Sequence, residues 1–258
     1  MKNYKRTMTK SLGLIGYPLG HSFSAGYFKE KFSKENITGF EYKNFEINDI
    51  ALLPEVIKNN IELIGLNVTI PYKEAVIPYL DKLDDSAKNV GAVNTIKIDR
   101  SGGKVILTGY NTDTYGFRES LKYSLATHHQ KALILGTGGA AKAAHFVLKN
   151  IGLEVLFVSR NPRKDNEVSY DSLNEIAVKN FPLIVNSSPV GMHPHIEKCP
   201  DIPYEFLDSN NLLFDLIYNP EETLFLKKGK DKGALTQNGL PMLILQAEKA
   251  WEIWNKVS

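Results

Sequence analysis

The stretch Lys131-Ala-Leu-Ile-Leu-Gly136-Thr137-Gly138-Gly139-Ala140-Ala141 constrains this chain more than any other. An aliphatic run of strand type enters a turn with glycine at 136, 138 and 139, and Ala140 to Ile151 then reads as a helix stopped by Gly152. The spacing G-x-G-x-x-A puts glycine where the chain must turn and where backbone approaches a pyrophosphate, and a small residue where helix meets strand. The start of the helix offers free N–H groups and a partial positive charge to phosphate. A purely structural turn is the other reading. The strand before and the helix after favour the dinucleotide one.

The next predicted strand, Glu154–Ser159, ends where an Asp or Glu would bond the ribose 2′-hydroxyl of NAD. Ser159-Arg160-Asn161-Pro162-Arg163-Lys164 stands there instead, with three cations and no acid. Charge-assisted donors at that place suit the 2′-phosphate of NADP, against the alternative of a solvated basic loop. Further strands are expected at Ala132–Leu135, Leu183–Asn186, Leu212–Leu216 and Gly233–Thr236, which gives this half a Rossmann-type rhythm.

The first half alternates in a similar way. Strands are expected at Leu12–Gly16, Glu41–Ile47, Leu63–Thr69, Val93–Ile98 and Lys104–Leu107, the last two forming a hairpin across Arg100-Ser101-Gly102-Gly103. Helices are expected near Ser24–Phe32, Ile50–Asn59, Tyr72–Leu80, Ala87–Val90 and Tyr115–Tyr123. A terminal amphipathic helix, Pro241–Lys256, carries Trp251 and Trp254. The fold class is therefore α/β, with two domains within 258 residues.

Charge narrows the partners. A net charge of +2 leaves no global field for nucleic acid or anionic membrane, so any anion must be held locally. The single cysteine, Cys199, excludes an internal disulfide and fits a cytoplasmic protein. The basic stretch Met1–Arg6 is followed by an apolar run too short for a secretory signal, and no run has transmembrane length. The histidines show no metal-ligand grouping, and His21 stays outside the catalytic set.

Polar residues cluster after the strands of the first half. Pro71 suits a first helical position, which puts Lys73 in a first turn facing the positive end of the helix dipole. Lys73 either exchanges protons there or simply reaches solvent. Asp113 caps the following helix, or pairs with Lys73 and bonds a substrate hydroxyl, or does both. Ser22 and Ser24 place two hydroxyls beside free backbone donors, an arrangement for a small carboxylate or a plain helix cap. Gln246 lies beside the apolar stripe Leu243, Ala247, Ala250 and Trp254, and a buried amide there needs a backbone or ligand partner.

Eight motifs stand in order: H-S-F-S at 21–24, N-V-T-I-P-Y-K at 67–73, G-A-V-N-T at 91–95, G-Y-N-T-D at 109–113, G-T-G-G-A-A at 136–141, N-S-S-P-V-G-M at 186–192, D-L-I-Y-N-P at 215–220 and N-G-L-P-M-L-I-L-Q-A at 238–247. In these, over nearly its whole length, the chain resembles the shikimate dehydrogenases. The resemblance implies reversible, NADPH-dependent reduction of 3-dehydroshikimate to shikimate, on the route to chorismate and the aromatic amino acids. It implies an N-terminal substrate domain, 1–113, completed by 240–258, and a Rossmann-type NADP domain, 114–239, with the substrate in the cleft between them.

By the same resemblance Lys73 and Asp113 are catalytic. Ser22 and Ser24 bind the substrate carboxylate, and Thr69, Asn94, Tyr218 and Gln246 bond ring hydroxyls or orient neighbours. Gly136, Gly138, Gly139, Ala140, Ser159, Arg160, Asn161, Lys164, Leu216 and Gly239 contact the cofactor. Ala25 departs from the proline usual after the second serine, and Ser159-Arg160-Asn161 keeps only the arginine of the family's N-R-T. A monomer or homodimer is expected, without nucleic acid, metal or membrane. Two rivals remain: a quinate/shikimate dehydrogenase with broader substrate and NAD use, and a catalytically silent NADP-binding regulator.

Overall fold

Every residue of β1 (Lys10–Gly16) after Lys10 is buried, because the strand runs between two parallel neighbours in a sheet covered on both faces. A computed structural model describes residues 9–20 and 23–256. The chain divides into two units, one made of the residues up to Thr112 with those from Ala247 on, the other of Asp113–Gln246.

The first unit contains α1 (Phe23–Lys34), β2 (Phe40–Glu46), α2 (Leu53–Asn59), β3 (Leu63–Val68), α3 (Tyr72–Ala75), β4 (Lys82–Leu83), α4 (Asp85–Val90), β5 (Thr95–Asp99) and β6 (Ile106–Tyr110). Its six-stranded sheet has the order β2-β1-β3-β5-β6-β4. β5 and β6 form the expected hairpin, antiparallel with Asp99 opposite Ile106. One apolar cluster joins Ile15, Leu66 and Ile96 to Leu53 and Ile57 of α2. The other joins Leu12 and Phe28 to Ala247, Ala250 and Trp254 of the terminal helix.

Two departures from expectation have local causes. The helix expected over Tyr72–Leu80 is the single turn α3 followed by a 3₁₀ turn at Ile77–Tyr79. Pro78 lacks the N–H that would reach back to Glu74, and its ring crowds that carbonyl. The strands β4 and β9 (Glu167–Ser169) are edge additions of two and three residues, too short for alternation to show.

α5 (Thr112–Leu121) leads into the second unit, with β7 (Lys131–Leu135), α6 (Gly139–Asn150), β8 (Glu154–Ser159), β9, α7 (Glu175–Asn180), β10 (Leu183–Asn186), β11 (Leu212–Asp215), α8 (Leu224–Asp231) and β12 (Leu235–Gln237). The sheet is wholly parallel in the order β12-β11-β10-β7-β8-β9. Counted from β7 this is 6-5-4-1-2-3, the doubly wound dinucleotide topology, with its switch point between β7 and β10. The terminal helix α9 (Leu240–Asn255) begins in this unit, where Met242 packs among Phe117, Leu121 and Phe214, and its residues from Ala247 on belong to the first.

Candidate active site

In the first unit a buried polar chain underlies the expected substrate residues. Asn67 is an amide within an otherwise apolar strand, and its Oδ1 accepts from the Tyr42 hydroxyl at 2.7 Å. Its Nδ2 donates to Thr95 Oγ1 and to the Asn94 carbonyl, both at 3.3 Å. The Asn94 side chain, 3% exposed, accepts from Thr112 N at 2.7 Å and donates to Thr112 Oγ1 at 3.0 Å. Tyr42 also bonds Ser24, in the first turn of α1. Burial drives the Tyr42 phenol far above its ordinary range, and the bond to Ser24 opposes that only in part. The chain therefore runs from Ser24 through Tyr42, Asn67, Thr95 and Asn94 to Thr112, the residue before Asp113. Such networks rigidify a site when every member is satisfied. Tyr42, Asn67, Thr95 and Thr112 had no predicted role; the signal for Asn67 was an amide in a strand run. Ser22 and His21 lie outside the described residues.

Thr69 and Lys73 leave the end of β3 on a backbone held from several sides. Thr69 N donates to the Ile15 carbonyl at 2.9 Å, Tyr72 N to Thr69 O at 2.9 Å, and Val93 N to the Lys73 carbonyl at 2.7 Å. The Tyr72 hydroxyl is anchored on the Ile47 carbonyl at 2.7 Å. Pro71 precedes the first helical residue instead of occupying it. α3 is one turn long, so the opposition between Lys73 and a helix dipole that the sequence suggested is absent; a single turn has no stack of aligned peptides to build one. Lys73 is partly exposed, on a rigid tether.

α5, which enters the second unit, starts at Thr112, ahead of the expected start at Tyr115, so Asp113 lies inside the first turn and is not a cap. It is 6% exposed. A carboxylate in the first turn faces the positive end of its helix. α5 meets α9 at Gly116, where a Cβ would stand 2.5 Å from the Met242 carbonyl and 3.1 Å from Gln246 N. The helices that carry Asp113 and Gln246 thus touch backbone to backbone. Gln246 lies on the buried face of α9 with Met242, Ala247, Ala250 and Ile253, not beside it, and Leu243 is only half-buried. Its Nε2 donates to the Leu243 carbonyl at 2.9 Å. Tyr218 is half-buried, and burial raises its phenol.

The glycine turn sits at the switch point. Gly136 has φ +114°, which only glycine adopts readily, and a Cβ there would lie 2.9 Å from Ser187 Oγ at the end of β10. Gly138 precedes α6, and a Cβ on it would meet nothing within 4 Å, leaving room for a ligand against the backbone. Gly139 opens α6, Ala140 is half-buried, and Ala141 is fully buried where helix meets strand. Gly136 N donates to the Val158 carbonyl at 2.9 Å, which places the glycine turn beside the end of β8. Ser159 ends that strand, its Oγ accepting from Asn161 N at 3.2 Å, and Arg160, Asn161 and Lys164 follow, all exposed. Leu216 N donates to Asn186 O and Gly239 N to Ile217 O, each at 2.9 Å. A Cβ on Gly239 would stand 2.2 Å from the Leu216 carbonyl. These residues lie at the carboxyl ends of the parallel strands, where this topology receives a dinucleotide.

Asp215, also at that edge, has no role predicted from the sequence. It accepts from Thr223 Oγ1 at 2.6 Å, Ile217 N at 3.0 Å and Asn186 Nδ2 at 3.0 Å. Burial pushes its carboxyl up to about 6, the three donors opposing the rise. Between about pH 4 and 6 the folded chain then holds a proton that the unfolded chain has lost, so this group's contribution to stability falls as pH rises through that window and is level above it. Asp215→Asn should remove the fall. Relative to wild type, the variant is expected to gain on the order of 2–3 kcal/mol between pH about 4 and about 7, measured as paired denaturant unfolding curves.

The second unit, a wholly parallel sheet in doubly wound order with a glycine turn at its switch point, and the first, which carries Lys73 and the polar network, together have the make-up of a two-domain dinucleotide-dependent oxidoreductase. Residues 14–96 match the family model described as shikimate dehydrogenase substrate binding domain. A shikimate dehydrogenase (NADP(+)) of Carboxydothermus hydrogenoformans is 41% identical over 266 residues, covering 97% of this chain and 93% of the relative. A crystal structure of a shikimate dehydrogenase in complex with NADP+ has a TM-score of 0.86 at 34% identity, over 97% of this chain and 91% of that one. The shikimate 5-dehydrogenase of Thermus thermophilus, in complex with NADP(H) and shikimate, has a TM-score of 0.83 at 30% identity, over 96% and 94%. The chain belongs to the shikimate dehydrogenase family.

Proposed function

We propose that this protein catalyses the reversible, NADPH-dependent reduction of 3-dehydroshikimate to shikimate, in the shikimate pathway to chorismate and aromatic amino acids. The observation that carries the choice of NADP over NAD is the end of β8. Beside the glycine turn it bears Arg160, with Lys164 four residues on, where an NAD-selective site bears an acid. Residues 1–113 with 240–258 serve the substrate, and 114–239 serve the cofactor.

NADPH, when bound, supplies the hydride for the ring carbonyl carbon. The backbone of Gly136, Gly138, Gly139 and Ala140 would hold its pyrophosphate, Ser159, Arg160, Asn161 and Lys164 would take its 2′-phosphate, and Leu216 and Gly239 would contribute further contacts to it. Ser22 and Ser24 donate to the substrate carboxylate. Thr69, Asn94, Tyr218 and Gln246 bond or orient around the ring hydroxyls. Lys73 gives a proton to the carbonyl oxygen in reduction and takes it back in oxidation, with Asp113 orienting the ammonium and the hydroxyl. The protein works on a small molecule as a cytoplasmic monomer or homodimer; no described helix is long and apolar enough to cross a membrane.

The test is product identification. Incubation with NADPH and 3-dehydroshikimate should yield a product heavier by two hydrogens and identical to shikimate by chromatography. Unchanged substrate with consumed NADPH, or no reaction, contradicts the proposal. Arg160→Ala tests the cofactor reading on its own. Loss of a charge-assisted contact is expected to raise KM for NADP by roughly 10- to 100-fold while KM for NAD stays within about twofold, read from initial rates with shikimate.

A further inference from the structure

α1 carries Ser24 in its first turn, and the same helix is fastened to the terminal helix by charged groups the reaction does not use. The Tyr27 hydroxyl donates to Glu248 Oε1 of α9. One turn further, Lys31 Nζ donates to both Glu248 oxygens at 2.9 Å and to Glu35 Oε1 at 2.7 Å. The Lys31 side chain is only 8% exposed, against 39% for Glu248 and 53% for Glu35. Burial alone would favour neutral Lys31; the bonds to Glu35 and Glu248 outweigh it and hold its ammonium above the ordinary range.

Ser24, Tyr27 and Lys31 are spaced by three and four residues, so they share one face of α1. Apolar packing of Phe28 with Ala247, Ala250 and Trp254 already joins the helices, but such contacts are non-directional and constrain the rotation of α1 less than directed hydrogen bonds do. A carboxylate that receives three bonds from two side chains one turn apart fixes both rotation and height. An ion pair with one buried partner adds little stability over an apolar pair of equal volume, and the best-attested use of such pairs is to set register.

We propose that Glu248 is a positioning residue for the substrate carboxylate, acting through Tyr27 and Lys31 to set the orientation of α1 and so of Ser24. This rests on the reading of Ser24 given above. Glu248→Ala is expected to raise KM for shikimate roughly tenfold, with kcat and KM for NADP within about twofold. Glu248→Gln, which keeps an acceptor for both donors, should recover most of the loss. With shikimate methyl ester, whose carboxylate is masked, wild type and Glu248→Ala should differ by less than about twofold. Amide hydrogen exchange over the first turns of α1 should quicken in Glu248→Ala and not in Glu248→Gln. An unchanged KM in Glu248→Ala, or equal losses with acid and ester, overturns the inference. Failure of the wild type to oxidise shikimate would instead overturn the functional reading beneath it.

Discussion

Lys73→Ala is expected to lower kcat for shikimate oxidation by roughly a thousandfold, about 4 kcal/mol of transition-state stabilisation, while KM for shikimate rises by less than about tenfold. The asymmetry follows from the role. A proton is exchanged only as the carbonyl oxygen gains or loses charge, so its loss falls on the transition state. Lys73→Arg separates this from simple charge. Arginine keeps a cation on the same tether but does not give up its proton, so it should bind substrate nearly normally and remain about as slow as the alanine variant. Equal changes in kcat and KM, or recovery by arginine, would reduce Lys73 to a binding group. Stopped-flow traces at saturating NADP read both parameters.

The largest effect on stability is expected at Trp254. Its ring is 4% exposed, lies 5.6 Å from the Phe28 centroid and donates from Nε1 to the Ile96 carbonyl at 2.9 Å. It also covers Gly65 so closely that a Cβ there would stand 2.2 Å from the indole. Trp254→Ala removes the ring from the cluster with Leu12, Ala247 and Ala250 and takes away the indole donor to the Ile96 carbonyl. The expected cost is about 3–5 kcal/mol, near the top of the range for large-to-small changes, or a fall of roughly 12–20 °C in the transition of the first unit. Trp254→Phe keeps most of the apolar area and loses the hydrogen bond, so about 1–2 kcal/mol is expected. Calorimetry distinguishes them, and a fall below about 1 kcal/mol for the alanine variant would show that the terminal helix is not held as described.

How legible the molecule was depended on the range of the interactions. The glycine turn could be read because Gly136, Gly138 and Ala141 act within one βα unit, where a positive φ, an open backbone and a tight helix contact all come from neighbours in sequence. The hairpin of β5 and β6 was readable for the same reason. Arg160 could be placed because β8 is the strand that follows. The partners of α9 could not be read: Trp254 fills the space over Gly65, and Glu248 meets Tyr27 and Lys31, both distant in sequence. Tyr42 and Asn67 escaped because a hydrogen bond between strands leaves no periodic trace. The dipole argument for Lys73 failed on Pro78, whose effect on the length of the helix needed more weight than the apolar pattern of Tyr72–Leu80. Asp113 moved from cap to first turn because α5 starts at Thr112, whose backbone N–H is taken by Asn94 from another strand junction.

Substrate and cofactor choice are read together from kcat/KM for four pairings: shikimate or quinate, each with NADP or NAD. Shikimate with NADP is expected to exceed every other pairing by at least about tenfold, each decade corresponding to about 1.4 kcal/mol of discrimination in the transition state. Comparable values with quinate or with NAD would contradict it and mark a broader dehydrogenase, and tight NADP binding without turnover in any pairing would mark a regulator that keeps only the fold.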